Sequence, residues 1–411
     1  MTRYHARWVL PISGPPIRDA WVAVRGGRVV ACGEARGAVG EDETAREVDM
    51  GHVAIMPGLV NAHTHLELSY LRDAVPPASA FVTWIRAVLA KRGQGPDPGS
   101  PLVLDAIERA LVESAASGTA VLGDISNTLL TFAPLARSPL AAVLFYELIR
   151  FGAADSRGFV DAAWRRIQGL QPTDRVRVSL AAHAPYSVAP SVFLAIREAI
   201  GRDPLVPCSV HLSESAEESE FIRAGSGPWR QLLIELGAWD PTWVAPGVTP
   251  VQFLDDNGFL DDRVLAVHGV QMAPADLARL AARGTTLVTC PRSNRYTGAG
   301  APPVEAFYAS GVRIAIGTDS LASAPDLNVF AELAALRALA PRVPAAQLLA
   351  SATLEGARAL GFGRDYGTIQ PGKCARLLAI DVPAGTADVE EYLVSGIDPS
   401  QVRWVGEDSN C

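Results

Sequence analysis

The stretch VAIMPGLVNAHTHLELS, residues 53–69, joins an apolar β-rich run to two histidines, His63 and His65, that stand one residue apart. Side chains two positions apart in a strand point to the same face, so both imidazoles project to one side at the carboxyl end of this run. In a closed barrel of parallel strands, the carboxyl ends carry the active site. Two structural histidines are the alternative, and each would need a buried hydrogen-bond partner.

Seven further short β-rich runs follow this stretch, and longer helical segments separate them. PLVLDAIERALVESAAS, residues 101–117, places apolar residues three and four apart, which is typical of a helix packed on one face. Eight alternating strand and helix units over about 260 residues predict an α/β protein with a (β/α)8 TIM barrel, and an open doubly wound sheet is the alternative. The eight runs are VAIMPGLVNAH, GTAVLGDIS, LAAVLFYELI, VRVSLAAHA, VPCSVHLSE, RVLAVHGVQ, TTLVTCPRS and VRIAIGTDS.

The two ends of the chain have a different pattern. AWVAVRGGRVVACGE, residues 20–34, alternates around a Gly-Gly turn, which predicts a β-hairpin. YGTIQPGKCARLLAIDV, residues 366–382, has the same β-rich character. We therefore expect the barrel to span residues 58–361, and residues 1–57 and 362–411 to form one small, composite, β-sandwich-like domain.

Composition limits the kinds of partner. The 411 residues include 36 basic and 44 acidic residues, and no basic block could neutralise phosphates or anionic lipid. Five scattered cysteines without a CxxC pair suit a reducing compartment, and the first residues lack the apolar core of a signal peptide. We expect a cytoplasmic protein that acts on a small-molecule substrate and has no nucleic-acid or membrane partner. A homodimer stays open.

Five of the seven histidines and one aspartate fall at the carboxyl ends of predicted strands. These residues are His63, His65, His183, His211, His268 and Asp319. Scattered core histidines would have no reason to share that position. Three imidazoles and one carboxylate, with an open position left for water, are the ligands of a catalytic ion such as Zn²⁺ or Fe²⁺. We expect one divalent ion, with zinc favoured over iron.

Several ordered motifs resemble those of the amidohydrolase superfamily, within its cytosine-deaminase-like branch of mononuclear aminohydrolases. They are PGLVNAHTHLE, HLSES, VHGVQ, CPRSN, IGTDS and GTIQPGK. The resemblance implies a (β/α)8 barrel with a composite β domain, and a metal held by His63, His65, His211 and Asp319. Binuclear members of the superfamily bridge two ions with a carboxylated lysine. No lysine lies near any predicted strand end here, which favours a single ion.

The same resemblance points to catalytic residues in the HxxE arrangement and beyond it. Glu214 follows His211 by three residues and would protonate a ring nitrogen and help the amine leave as ammonia. Asp319 would accept a proton from the attacking water, and His268 would hold the attacking oxygen. A solvated charge at a helix start is the alternative for Glu214. We expect that surface position for the other acidic residues of SESAEESE, which are Glu217, Glu218 and Glu220.

Substrate-binding residues are less narrowly defined. His183, in HAPYS, resembles the position that contacts the heterocycle in nucleoside-deaminating relatives, and a structural histidine is the alternative. Glu67 returns to the face of the HxH pair, where it would accept hydrogen bonds from sugar hydroxyls or pair with an arginine. Other candidates are Phe81, Trp84 and Phe151 for stacking on a ring, and Arg150, Arg292 and Arg295 for binding a carboxylate.

These features together predict a metal-dependent hydrolase that releases ammonia from an adenine-nucleoside-like substrate. NAHTHLELSYLR, with its Glu67, narrows the resemblance to bacterial deaminases that act on 6-aminodeoxyfutalosine in menaquinone biosynthesis. One alternative is a hydrolase with the same site that acts on another N-heterocycle, such as guanine, cytosine or a chlorinated triazine. A noncatalytic metal-binding barrel is the remote alternative, and it would not need both Glu214 and Asp319.

Overall fold

The computed structural model describes residues 1–34, 45–152, 154–203 and 206–406, and it contains two β-sheets. The strands are β1 (Thr2–Val9), β2 (Ile17–Arg25), β3 (Arg28–Glu34), β4 (Arg46–Asp49), β5 (Val53–Pro57), β6 (Leu59–Thr64), β7 (Thr119–Ser126), β8 (Ala141–Leu148), β9 (Val176–Ala182), β10 (Cys208–Leu212), β11 (Val264–His268), β12 (Thr286–Thr289), β13 (Arg313–Ile316), β14 (Leu377–Asp381) and β15 (Val402–Trp404).

Fifteen α-helices are found in the described ranges. They are α1 (Phe81–Gly93), α2 (Pro101–Ala116), α3 (Phe132–Arg137), α4 (Ser156–Gln168), α5 (Pro190–Ile200), α6 (Ala216–Ala224), α7 (Gly227–Glu235), α8 (Pro250–Asp256), α9 (Pro274–Arg283), α10 (Pro291–Tyr296), α11 (Val304–Ala309), α12 (Val329–Leu339), α13 (Ala345–Ala350), α14 (Gly356–Ala359) and α15 (Val389–Leu393). Short 3₁₀ turns span Leu66–Leu71 and Pro399–Gln401, and one π-helical turn spans Ser351–Glu355. Of the helices in the described ranges, not one combines the length and apolar character needed to cross a bilayer.

Strands β6 to β13 lie side by side in chain order, and each is parallel to its neighbour. The first and last of them meet where Thr64 forms a parallel bridge with Asp319, just beyond β13. The carbonyl oxygen of His63 also accepts hydrogen bonds of 3.1 Å from the backbone nitrogens of Thr318 and Asp319. These bonds bring the two edges of the sheet together, so the prediction of a (β/α)8 barrel is confirmed.

Alternate residues of the barrel strands belong to different buried clusters, as β8 illustrates. Ala142 and Leu144 pack with side chains of the surrounding helices. Val143 and Phe145 instead pack with alternate residues of other barrel strands, such as Val267. The period-two alternation places these residues on opposite faces of the sheet. The barrel therefore has a packed interior, which holds the strand ends in fixed positions.

The second sheet is built from both ends of the chain. Its strands run in the order β15-β14-β5-β1-β2-β3, and β4 pairs with β1. The predicted hairpin is confirmed, because β2 and β3 are antiparallel and are joined at Gly26 and Gly27, whose φ angles are 55° and 74°. The antiparallel pairing of β14 with β5 connects the carboxyl-terminal segment to the amino-terminal one. The predicted composite sheet from both termini is therefore confirmed.

The first apolar run forms two strands, where the sequence indicated one. β5 pairs with β1 and β14 in the composite sheet, whereas β6 pairs with β7 in the barrel. The break falls at Pro57, which has no N–H to donate, and at Gly58, whose amide donates to the carbonyl of Arg376 at 2.8 Å. Gly58 is also closely surrounded, since a Cβ atom there would lie 2.6 Å from Cβ of Ala120.

We predict that Gly58→Ala destabilises the protein by about 1–3 kcal/mol, because the added methyl group overpacks the junction between the two sheets. The measurement is the free energy of unfolding in urea. Gly14→Ala is the matched control, because a Cβ at Gly14 would meet no atom within 4 Å. Equal stability of the two variants would contradict the tight packing at Gly58.

Candidate active site

The strand-end histidines and Asp319 come together at the carboxyl end of the barrel. The ring centroid of His63 lies 4.9, 5.0 and 5.6 Å from those of His65, His211 and His268. His183 lies beside this group, with its ring centroid 5.1 Å from that of His211. Oδ1 of Asp319 is 3.5 Å from Nε2 of His65 and 3.8 Å from Nε2 of His63. The structure thus gathers all six of these residues.

Backbone strain accompanies this arrangement. His268 and Asp319 adopt φ angles of 81° and 59°, in the left-handed region that residues with a Cβ rarely occupy. Gly317 lets the chain approach β6 closely, because a Cβ there would lie 2.8 Å from both Cβ and the carbonyl oxygen of His63. The turns after β11 and β13 therefore direct side chains inward at a cost in backbone energy.

The donor atoms of this cluster fit a bound cation. Both ring nitrogens of His63 are buried and lack a hydrogen-bond partner among the described residues, although a buried imidazole normally has one. Burial and the neighbouring histidines lower the pKa of His63 well below its usual value, so its ring is neutral, as a metal ligand must be. His63, His65 and Asp319 place ligand atoms within 4.8 Å of one another. The separations of 3.5 and 3.8 Å come close to the roughly 3.4 Å edge of a tetrahedron of ligands around zinc.

Hydrogen bonds fix which nitrogen atoms face the centre. Nδ1 of His211 lies 3.0 Å from the carbonyl oxygen of His183, and Nδ1 of His268 lies 2.8 Å from Oδ1 of Asn294. Because carbonyl and amide oxygens only accept, each Nδ1 carries the proton and donates. The Nε2 atoms of both rings are therefore left with a lone pair. A metal ligand is normally oriented in this way by a bond at its other nitrogen.

Helix α10 positions two of the clustered side chains. Ser293 donates to Oδ2 of Asp319 at 2.5 Å, and Asn294 accepts from His268. Arg292 anchors the helix through its Nε, which donates to Oε1 of the fully buried Glu332 at 2.6 Å. The candidate role of Arg292 in binding a substrate carboxylate is therefore wrong, because its guanidinium is engaged by Glu332 and by Asp326, 2.8 Å away.

Glu214 lies next to His268 in this cluster. The backbone turns at Ser213, with a φ of 53°, and brings Oε1 of Glu214 to 3.5 Å from Nε2 of His268. Burial, reinforced by the charge of Asp319, raises the pKa of Glu214 well above its usual value. Burial would also raise the pKa of Asp319, but the surrounding histidines and Ser293 hold it below its usual value. The site therefore holds two carboxyls whose pKa values are shifted in opposite directions, which suits an acid and a base.

Glu218 supports the turn that carries Glu214, and its expected surface position is wrong. Its carboxylate is fully buried and accepts hydrogen bonds from the backbone nitrogens of Ser213 at 2.9 Å and Glu214 at 2.8 Å. Ser215 caps helix α6, and Glu218 is the third residue of that helix. The S-x-x-E pattern of a capping box would have indicated this inward orientation. Glu217 is only partly exposed, and Glu220 is exposed.

Glu67 also occupies a different environment from either expectation. Its Oε1 accepts from the backbone nitrogen of Asn127 at 2.7 Å, and its Oε2 accepts from the hydroxyls of Ser126 and Thr128, both at 2.7 Å. Glu67 pairs with no arginine in these contacts, and it is not among the residues that line the cavity above the cluster. Its carboxylate orders the turn after β7 instead of facing a sugar.

A cavity of about 280 Å³ lies above the histidine cluster. His183, Arg150 and the three candidate aromatic residues line it, while Arg295 does not. Burial lowers the pKa of His183 to about 3, so its ring is neutral, and its Nδ1 lies 2.5 Å from Oγ of Ser187. Sequence reasoning missed several other residues of the wall. They are Leu68, Ile85, Val88, Arg92, Asn127, Glu147, Tyr186, Trp229 and Leu232.

A barrel whose strand ends gather imidazoles and two carboxyls with oppositely shifted pKa values beneath a cavity defines a metal-dependent hydrolase. Comparison with known families agrees with this class. The model of the amidohydrolase family matches residues 54–402. The chain therefore belongs to the amidohydrolase family, whose members are metal-dependent, and the predicted family and enzyme class are confirmed.

Two relatives with 32% and 30% identity are deaminases. An aminodeoxyfutalosine deaminase of Deinococcus radiodurans is 32% identical over 363 residues, which cover 82% of this chain and 81% of that protein. A 5-methylthioadenosine/S-adenosylhomocysteine deaminase of Moorella thermoacetica is 30% identical over 404 residues, which cover 91% and 84% of the two chains.

Solved structures share the architecture. An adenosine deaminase of Xanthomonas campestris, solved with bound zinc, is 28% identical, has a TM-score of 0.79 and covers 98% of this chain and 90% of that one. Helicobacter pylori aminofutalosine deaminase in complex with methylthio-coformycin has a TM-score of 0.83, covers 96% and 95% of the two chains and is 24% identical. This second likeness shows the fold alone.

We predict that Glu218→Ala lowers both stability and turnover, because two buried amides lose their acceptor and the turn carrying Glu214 loosens. Each unsatisfied amide costs about 1–3 kcal/mol. Unfolding in urea and initial rates of ammonia release measure the two effects. Glu217→Ala, one residue away, is the control and should change stability by less than about 0.5 kcal/mol. Equal effects of the two substitutions would contradict the supporting role of Glu218.

Proposed function

We propose that this protein is a hydrolytic deaminase of adenine nucleosides, with 6-aminodeoxyfutalosine as its substrate. The observation that carries the proposal is the position of two carboxyls at one histidine cluster: Oε1 of Glu214 lies 3.5 Å from Nε2 of His268, and Oδ1 of Asp319 lies 3.5 Å from Nε2 of His65. The pKa values of the two carboxyls are shifted in opposite directions. Deamination of an aromatic amidine needs both groups, because one nitrogen must be protonated while water is deprotonated. The cavity above them leaves room for a small molecule.

His63, His65, His211 and Asp319 would hold one divalent ion in this proposal. Three imidazole nitrogens and one carboxylate oxygen favour Zn²⁺, and Fe²⁺ is the alternative. When bound, the ion supplies the Lewis acidity that makes water a nucleophile at neutral pH. Oδ2 of Asp319 accepts a hydrogen bond from Ser293, which leaves Oδ1 to bind the ion.

The side chains would move the protons. Asp319 accepts one proton as the water oxygen bonds to the ring carbon that carries the amine, and Glu214 donates its proton to the adjacent ring nitrogen. Nε2 of His268, fixed by Asn294, orients the attacking oxygen. The carbon–nitrogen bond then breaks as Asp319 passes its proton to the amine, which leaves as ammonia. The proton of the new hydroxyl returns to Glu214 as the carbonyl forms, so both carboxyls regain their starting states. A hypoxanthine ring remains, so one water is consumed for each ammonia released.

The specific substrate rests on similarity to the Deinococcus radiodurans deaminase. The proposal places the protein in menaquinone biosynthesis. A second candidate is deamination of 5-methylthioadenosine or S-adenosylhomocysteine, which the similarity to the Moorella thermoacetica deaminase favours. His183, on the cavity wall, would contact the heterocycle in either case.

We predict about one zinc ion per chain in the purified protein, measured by inductively coupled plasma mass spectrometry. Removal of the ion by a chelator should lower the melting temperature. A free ion concentration of 100 times the Kd stabilises the folded state by about 2.7 kcal/mol, and the chelator removes this contribution. His211→Ala should lose the ion. His5→Ala is the control, because His5 lies in the composite sheet, partly exposed beside Glu47, and should keep full metal content. Zinc-free, fully active protein would contradict the proposed ligand set.

We predict ammonia release from 6-aminodeoxyfutalosine by the metal-replete protein, with slower release from 5-methylthioadenosine, S-adenosylhomocysteine and adenosine. Glu214→Gln and Asp319→Asn should each reduce kcat/KM by about 10²–10⁴-fold, because each removes one proton transfer. Glu198→Gln, an exposed residue of α5 that pairs with Arg157, should leave the rate unchanged. The absence of ammonia from all four nucleosides would overturn the proposed function.

A further inference from the structure

Glu147, near the end of β8, is a buried carboxylate in the cavity wall that the proposed chemistry does not use. Its side chain is only 4% exposed, and it lines the cavity between His183 and His211. Oε2 accepts a hydrogen bond from Nδ2 of Asn127 at 2.8 Å. Oε1 is buried and has no hydrogen-bond partner among the described residues.

The surroundings of Glu147 keep Oε1 available for a ligand. Its nearest cationic candidate is Nδ1 of His211, 3.6 Å away, but that nitrogen already donates to the carbonyl oxygen of His183 at 3.0 Å. Apolar residues such as Trp84, Val88 and Leu232 form much of the lining of the same cavity, and Arg92 and Arg150 also line it. Burying a carboxylate oxygen without a hydrogen-bond donor costs free energy. The position of this oxygen in a cavity wall therefore indicates that a ligand supplies the donor.

The turn after β7 holds this carboxylate in place. Glu67 accepts from the backbone nitrogen of Asn127, and the hydroxyls of Ser126 and Thr128 fix Glu67 in turn. The amide of Asn127 is therefore presented to Glu147 from an ordered turn. Because Oε2 is bound on this side, the carboxylate group is fixed with Oε1 as its free acceptor.

The chemistry of the proposed substrate identifies the donor. Apart from the amine that is replaced, an adenine ring has no donor for a carboxylate, because N1, N3 and N7 only accept and N9 carries the sugar. The hydroxyls of the ribose are the remaining donors. We propose that Glu147 accepts hydrogen bonds from the ribose hydroxyls and makes the enzyme selective for nucleosides with an intact 2′,3′-diol. This inference rests on the proposed function, and it assigns to Glu147 the sugar contact that the sequence indicated for Glu67.

The test compares adenosine with 2′,3′-dideoxyadenosine in the metal-replete wild type and in Glu147→Met, a variant of similar length that lacks the acceptor. Wild type should favour adenosine by about 10- to 100-fold in kcat/KM, the worth of a hydrogen bond to a charged group. Glu147→Met should lose this preference and deaminate the dideoxynucleoside within about threefold of the wild-type rate. Glu198→Met, an exposed residue paired with Arg157, is the matched control and should keep the preference.

Three outcomes would overturn the inference. An unchanged preference in Glu147→Met would mean that the diol is recognised elsewhere. Equal loss on both nucleosides together with loss of the zinc would mean that Glu147 supports the metal centre, as its closeness to His183 and His211 would allow. If wild type deaminates no nucleoside, the proposed function fails. Calorimetric binding of inosine and 2′,3′-dideoxyinosine then decides the role of Glu147, and equal affinities in wild type would overturn it.

Discussion

The site depends on the seam where the first barrel strand meets the last. One carbonyl oxygen, that of His63, accepts from the backbone nitrogens of both Thr318 and Asp319. Side chains reinforce this seam, since Nδ2 of Asn61 donates to Oγ1 of Thr318 at 2.7 Å and Oγ1 of Thr64 donates to the carbonyl oxygen of Asp319 at 2.8 Å. A buried polar network of this kind fixes one arrangement strongly when every member is satisfied. The hydrogen bonds that close the barrel therefore also place Asp319 beside the imidazoles of His63 and His65.

The site contains strained and unpaired groups, and the rest of the fold must offset their unfavourable contribution to the free energy of folding. His268 and Asp319 are held at unfavourable backbone angles, and His63 and Glu147 keep buried polar atoms without partners in the described part of the chain. Strain and unpaired polar groups of this sort lower the stability of the empty protein, and a bound ion or substrate relieves them. The packed interior of the barrel, formed by residues such as Val143 and Phe145, offsets this cost. The interior residues of these strands thus stabilise the fold, whereas the residues at their carboxyl ends form the site.

Much of the architecture could be predicted from the sequence because it follows from periodicity. The eight runs and their terminal histidines needed only the rule that parallel strands end at one rim. The predicted domain boundary falls between Pro57 and Gly58, but the division of the first run into two strands was missed, since an apolar run does not reveal which sheet its residues join. Glu147 also lies near the carboxyl end of a barrel strand, so the same rule could have identified it.

The environment of Glu67 could not be predicted in this way, whereas the S-x-x-E pattern from Ser215 to Glu218 is a local signal for the inward orientation of Glu218. Each carboxylate binds backbone amides that a local turn brings within reach, and those turns depend on tertiary packing. The orientation of Arg292 could not be predicted from local sequence either, because its partner Glu332 lies forty positions further along the chain. Residue type and spacing identify which groups are chemically able to act, whereas packing decides which of them face the cavity.

Helix α10 has a consequence for how substitutions would combine. Ser293 and Asn294 are neighbours on this helix, and they orient the carboxylate of Asp319 and the ring of His268 respectively. The helix is tied down by the Arg292–Glu332 ion pair, so a change that tilts it displaces a proton acceptor and an orienting imidazole together. The energetic effects of altering the two are then non-additive, and a double-mutant cycle between Ser293 and Asn294 would carry a coupling term although the two side chains serve different partners.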